Sequence, residues 1–154
     1  VSHRKLCLHG CLCLLALLVA AADAGSRVEY VGGTVAALAE KPAGALDTTH
    51  DQYLFFRTRQ LTVQVPYERV NLLEYGQKVD RRLAMAIVIS PMFMLSKKRA
   101  HFLTVGYSDE QGRQQAMIFR VDKNDIRALL VSLEARTGRK VTFQDEEARK
   151  AGKG

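Results

Sequence analysis

Two short runs of cations, Arg81-Arg82 and Lys97-Lys98-Arg99, flank thirteen consecutive uncharged residues, 83–95. Guanidinium and ammonium groups at that spacing suit anionic headgroups or acidic side chains, and each Lys or Arg near an anionic surface contributes about 1 kcal/mol. Between them lie Met85, Ile87, Phe93 and Leu95, side chains able to enter an apolar boundary. The run is too short to span a bilayer, which takes about 20 apolar residues. Pro91 also forbids an unbroken helix. Three readings stay open: a buried insertion, a membrane-dipping loop, and an adaptable lip for a protein partner, to which polarizable methionines are suited. If 83–95 is an excursion between neighbouring strands, both its ends return to one sheet edge and the five cations gather there. The candidate contact residues are therefore Arg81, Arg82, Lys97, Lys98, Arg99, Met85, Phe93 and Leu95.

Groups for covalent or acid–base chemistry are sparse. All three cysteines, Cys7, Cys11 and Cys13, fall in the first 24 residues, so the rest of the chain has no thiol nucleophile, disulfide or cysteine metal site. His50 and His101 are far apart and lack metal-ligand spacing to any other His or Cys. His50 is placed to pair locally with Asp51, and His101 reads as structural. Gly32-Gly33-Thr34 lacks the downstream Gly-Lys-Ser/Thr of a phosphate loop. There is no Gly-x-Ser-x-Gly nucleophile elbow. Asp47, Asp51, Glu68, Glu74, Asp109 and Glu110 are available carboxylates, but acid–base pairs are assembled in space and no spacing pairs these. The expectation is a non-enzymatic chain with no catalytic residue, no cofactor and no metal. The alternative is a small envelope hydrolase using carboxylates brought together on a sheet.

The N-terminal segment, 1–24, supplies an address. Arg4 and Lys5 precede an apolar run from Leu6 to Ala22, and Ala20-Ala21-Ala22 and Ala22-Asp23-Ala24 both satisfy small-x-small. This is the three-part pattern of a secretory signal peptide, with cleavage after Ala22 or Ala24. An uncleaved membrane anchor is the competing reading. The expected location is periplasmic or extracellular, with peripheral membrane association. Beyond residue 24 the chain has 21 Lys and Arg against 15 Asp and Glu. That moderate positive charge suits anionic surfaces as well as simple solubility. An exported chain rarely meets nucleic acid, so the membrane surface and envelope proteins are the expected partners.

The elements that must hold these groups read mainly as strands. Thr34–Leu38 follows Gly32-Gly33, and Ala45–Thr48 follows the turn signal Lys41-Pro42-Ala43-Gly44. Tyr53–Arg57 and the alternating Leu61–Val65 predict a hairpin across Thr58-Arg59-Gln60. Pro66 breaks the ladder, and a strand is predicted from Tyr67 to Tyr75 with Gly76 as its stop. A second hairpin joins Phe102–Tyr107 to Gln114–Val121. The period then changes. Ile126, Leu129, Leu130 and Leu133 predict one helix face, with Asp122 as N-cap and Gly138 as the left-handed C-terminal stop. Val141 and Phe143 suggest a last short strand, and 144–154 reads as a charged, flexible tail.

About seven antiparallel strands closed by one C-terminal helix is a mainly β arrangement, an antiparallel sheet or partly open barrel capped at one end. Residues Leu61-Thr62-Val63-Gln64-Val65-Pro66-Tyr67-Glu68-Arg69-Val70, the Leu103-to-Tyr107 hairpin and the closing helix resemble, in pattern and order, the short bacterial pleckstrin-homology-like domains across residues 28–143. The resemblance implies one PH-like domain over 25–143, with 83–95 as an apolar insertion between strands. The chain is also similar to exported bacterial proteins of unknown function in Leu73–Lys78, Ser96–Arg99 and Glu134–Gly138, which implies no activity. The expected function is binding at the cell envelope through the basic and apolar patch.

Overall fold

The alternating run Thr62–Val65 lies in a strand, as its period of two predicts. The computed structural model describes residues 25–77, 88–89 and 100–153. The strands are β1 (Ser26–Gly33), β2 (Ala43–Asp47), β3 (Tyr53–Arg57), β4 (Thr62–Pro66), β5 (Val70–Gly76), β6 (Val88–Ile89), β7 (His101–Ser108), β8 (Gln114–Val121) and β9 (Thr142–Phe143). The helices are α1 (Ile126–Thr137) and α2 (Glu146–Lys153). The sheet is open and runs β4-β3-β2-β1-β8-β7-β5-β9, with β6 beside β1. Every pairing is antiparallel except β5 with β9. Residues 1–24, expected to be a signal peptide, and all of 83–95 except Val88–Ile89 lie outside the described residues.

Both predicted hairpins form, β3 with β4 and β7 with β8. Two strand boundaries differ from expectation. The first strand precedes Gly32-Gly33 instead of following them, and Ala36–Leu38 is a 3-10 turn. A register shift between Tyr30 and Gly32 breaks the simple alternation that would have announced β1. Gly33 has φ 154° and no room for a side chain: a Cβ there would sit 2.3 Å from both the Ala116 carbonyl and the Tyr30 hydroxyl. This close packing, with no ligand involved, accounts for the glycine at position 33. Likewise Tyr67–Arg69 forms a 3-10 corner, and β5 starts only at Val70.

The core is sealed by α1. Ile126, Leu129, Leu130 and Leu133 are buried on its inner face, each contributing about 1.5–3 kcal/mol. Gly138 ends the helix at φ 67°, its N–H donating to the Glu134 carbonyl at 3.0 Å. The start is not capped as predicted. Asp122 Oδ1 accepts the Asn124 N–H at 2.8 Å in the preceding turn, and Asp125 is the N-cap without a side-chain bond. Beneath the helix, Phe56, Phe119 and Tyr30 form an aromatic cluster, with Phe56 and Phe119 4.9 Å apart edge to face.

The C-terminal segment, expected to be a flexible tail, contains α2. Asp145 Oδ1 accepts the Ala148 N–H at 2.6 Å, which caps the helix start. Ala148 is fully buried, and Gly152 lies against Phe143, Leu130 and Tyr75. A Cβ on Gly152 would come within 2.6 Å of the Phe143 ring. Gly152→Ala is therefore expected to destabilise the protein by about 1–3 kcal/mol in urea denaturation. An undocked helix would respond with the opposite sign, because alanine favours helix over glycine by about 1 kcal/mol.

Candidate functional site

All eight predicted contact residues lie outside the described residues; the structure describes where the segment carrying them leaves and rejoins the sheet. The chain leaves β5 at Gly76 and re-enters at His101 on β7, and Gly76 pairs directly with Phe102. Both ends of the connection 77–100 thus meet at one end of a single strand pair. The connection is not a simple excursion, however. Val88 and Ile89 pair with Gly33 and Gly32 on the edge of β1 that β2 leaves free beyond Glu29. Strand β1 lies beyond β7 and β8 in the sheet order.

Beside Ala100 is a shallow, open depression of about 540 Å³. Arg27, Arg120 and Lys123 line it with Glu29, Asp122 and His101. Arg120 is ion-paired with Glu29. His101 shares a hydrogen bond through Nδ1 with the hydroxyl of buried Tyr75, and the two rings stack at 9°. Burial holds the imidazole below its ordinary pKa, with the Lys123 charge acting in the same direction against that of Asp122. The shared hydrogen bond and the ring stacking together fix the orientation of the imidazole. His101 is therefore a structural histidine fixed at the mouth of the connection.

A second, larger concavity of about 700 Å³ opens at the other end of β7. Its walls come from the turn before β3 (Asp51, Gln52, Tyr53), the β4 end and 3-10 corner (Gln64, Pro66–Arg69) and the β7–β8 turn (Tyr107–Glu110). Four carboxylates line it, and two are committed. Asp51 accepts from Arg136 at 2.6 Å, which ties the C-terminal turn of α1 to this wall. The expected pairing of Asp51 with His50 does not form; His50 Nδ1 accepts the Gln52 N–H at 3.1 Å. Asp109 organises the hairpin turn, accepting from Gln111 N, Arg113 N, Arg113 Nε and Gln115 Nε2 at 2.8–3.0 Å. Desolvation acts to raise its pKa, and the bonds from Arg113 and Gln115 outweigh it and hold the carboxyl below the usual range. Glu68 and Glu110 have no hydrogen bond or ion pair among the described residues.

Two more carboxylates named from the sequence serve the fold. Asp47 is 3 % exposed and accepts from Thr49 N, Thr49 Oγ1 and Arg57. Glu74 accepts from Gln144 at 2.9 Å. Among the described residues, no group of three His, Cys, Asp or Glu side chains is arranged to hold a metal ion. No described helix is long and apolar enough to cross a membrane. Sequence reading missed the cleft because its walls come from three separated segments. The one available signal was the clustering of acidic and aromatic residues at the turns flanking β3 and following β7. No protein-family model matches the chain, and no curated protein matches its sequence.

Proposed function

We propose that the chain is an exported, non-enzymatic binding module of pleckstrin-homology-like type that contacts the cell envelope through the connection 77–100. The observation that carries this reading is the Gly76–Phe102 pairing, which brings the two ends of a segment with basic flanks and an apolar centre to one place on a rigid sheet. Arg27 and Lys123 beside Ala100 extend the positive charge onto the sheet itself. The path β4-β3-β2-β1-β8-β7-β5 with a helix sealing the core supports the PH-like assignment. That fold hosts many ligands and by itself does not imply phosphoinositide binding. The leader supports export. A hydrolase reading would draw on the cleft carboxylates, but Asp51 and Asp109 are spent on structural bonds.

Vesicle sedimentation tests the contact. The leader-cleaved chain is expected to pellet with vesicles containing phosphatidylglycerol and not with phosphatidylcholine alone. Binding should weaken at high salt, since the Debye length falls from about 10 Å at 0.1 M to about 3 Å at 1 M. Lys97→Glu, Lys98→Glu and Arg99→Glu together should abolish it. Failure to pellet under every condition removes the membrane surface and leaves an envelope protein as the partner.

A further inference from the structure

We infer that the outer edge of β4 is a homodimerisation surface, on which β4 of a second copy of this chain pairs antiparallel about a two-fold axis at Val63. Strand β4 ends the sheet, with β3 on one side and no strand on the other among the described residues. Two hydrogen bonds show which of its backbone groups face outward. The Thr58 N–H donates to the Leu61 carbonyl and the Tyr67 N–H to the Gln52 carbonyl, each at 2.9 Å. The β3–β4 register runs unbroken from Tyr53 opposite Pro66 to Arg57 opposite Thr62, and hydrogen-bonded pairs alternate along an antiparallel ladder. Leu61, Val63, Val65 and Tyr67 therefore bond toward β3, while Thr62 and Gln64 turn their N–H and C=O groups away from it. Those outward groups have no partner among the described residues. Long edges are commonly guarded by charged side chains or bulges. Residues 60–66 carry no charge, and β4 has no bulge.

A second copy fits this edge in one register. Paired residues must share the same pleat direction, so the two-fold axis falls at Thr62, Val63 or Gln64. Centred on Gln64, each Thr62 faces a Pro66, which has no N–H to donate. Centred on Thr62, each Gln64 faces a Gln60, whose N–H is already given to Thr58 Oγ1 at 3.2 Å. Centred on Val63, Thr62 of each copy faces Gln64 of the other, and every outward N–H and C=O of both residues finds a partner. The same register covers aliphatic side chains that the fold leaves half-buried. Leu61 and Val63 pack at the rim of the core. Val63 meets Val63 of the second copy and Leu61 meets its Val65, as non-hydrogen-bonded pairs, the closer kind. Charge agrees with this arrangement. Antiparallel pairing sets Arg59, before one β4, beside Glu68, after the other. Both are exposed and neither is paired among the described residues, and Arg69 next to Glu68 is half-buried. An arbitrary extended peptide would share the backbone bonds but not the aliphatic and charge matches. An edge this short lies below the roughly 1,200 Å² of stable interfaces, so the dimer is of the weak, concentration-dependent class.

The test is analytical ultracentrifugation of the leader-cleaved chain at rising concentration. No lipid is present, so the result is independent of the envelope contact. The mean mass is expected to climb from one chain toward two and to stop there, because a two-fold pairing closes on itself. Gln64→Pro removes an outward N–H and no β3–β4 bond. It should weaken association on the order of tenfold or more, the loss of one hydrogen bond per copy, with thermal unfolding unchanged. Arg59→Glu should also weaken association, and Arg59→Glu/Glu68→Arg should restore it, a reversal that a damaged fold would not show. Because all three cysteines lie in residues 1–24, Val63→Cys gives the cleaved chain a single thiol. Under a mild oxidant it should form a disulfide-linked dimer, and adding Gln64→Pro should suppress that link. Association unaffected by Gln64→Pro, or a Val63→Cys link that forms as fast with Gln64→Pro as without it, would overturn the proposal. So would a chain that stays monomeric at every concentration; if its Thr62 and Gln64 amide resonances then shift with an added threonine–valine repeat peptide, the edge takes a foreign strand and not a second copy.

Discussion

Phe119→Ala lowers the unfolding free energy by about 3–5 kcal/mol. The side chain is fully buried on β8, the strand that joins the β1–β4 part of the sheet to β7, β5 and β9. Its ring meets Phe56 of β3 at 4.9 Å and Tyr30 of β1 at 6.0 Å, both edge to face. Each such contact adds about 0.5–1.5 kcal/mol beyond the area it buries. Truncation to alanine deletes the ring where both sets of strands meet, and neither can collapse inward without giving up strand pairing. Domains of this size are stable by only about 5–15 kcal/mol, so the variant is expected to be close to its unfolding midpoint in warm, dilute buffer. Urea denaturation measures the loss, and a value below about 1 kcal/mol would contradict the aromatic cluster as the centre of the core.

Asp47→Asn has the second largest expected effect, a loss of about 2 kcal/mol at neutral pH, the scale of hydrogen bonds to a charged group. The wild-type carboxylate lies at the end of β2, where Oδ1 receives both Thr49 donors and Oδ2 receives Arg57. Asparagine turns an N–H toward the Arg57 guanidinium and leaves two donors facing each other. Arg57 is 42 % exposed at its side chain, and solvent screening keeps the loss below that of a fully buried pair. The same site sets an acid limit. Burial acts to raise the Asp47 pKa, but the bonds from Thr49 and Arg57 prevail and hold it below the ordinary range. The unfolded chain therefore takes up this proton first as pH falls. The stabilisation is fully present above the unfolded value of about 3.9 and is lost as pH drops through the lower folded value. Stability measured from pH 6 downward should fall less steeply in Asp47→Asn, with the residual slope including the share of Asp109, which is shifted in the same direction. A pH profile parallel to wild type would exclude Asp47 as a source of the acid sensitivity.

The legible parts of the fold were those in which local pattern and burial agree. Val63 and Val65 alternate with polar neighbours on an edge strand, and Leu129, Leu130 and Leu133 recur at helical spacing above a closed core. Strand β1 was illegible because a register shift after Tyr30 makes Tyr30 and Val31 buried neighbours. Helix α2 was hidden for another reason. Its docking face is Ala148 and Gly152, residues too small to register as apolar anchors among Glu, Arg and Lys. The carboxylates were visible as residue types but not as roles. Only hydrogen-bond geometry separates Asp47 and Asp109, which hold turns, from Glu68 and Glu110, which face open space. The basic and apolar run at 81–99 was evident from composition alone, while its return to β1 through Val88 and Ile89 depends on a two-residue pairing that no sequence period encodes.

Strand β7 links the mouth of the connection, at His101, to the wall of the cleft, at Ser108. A β-strand is already close to its contour length, so β7 cannot stretch under load. It is clasped along its length by β5 on one side and β8 on the other. A pull applied between its two ends would run along the covalent backbone of β7 itself, with the two flanking ladders holding the strand straight. β7 is therefore a strut. A molecule tethered at its His101 end would hold the cleft on the order of 20 Å away at a fixed standoff and attitude, and would pass tension from one attachment to the other without unravelling.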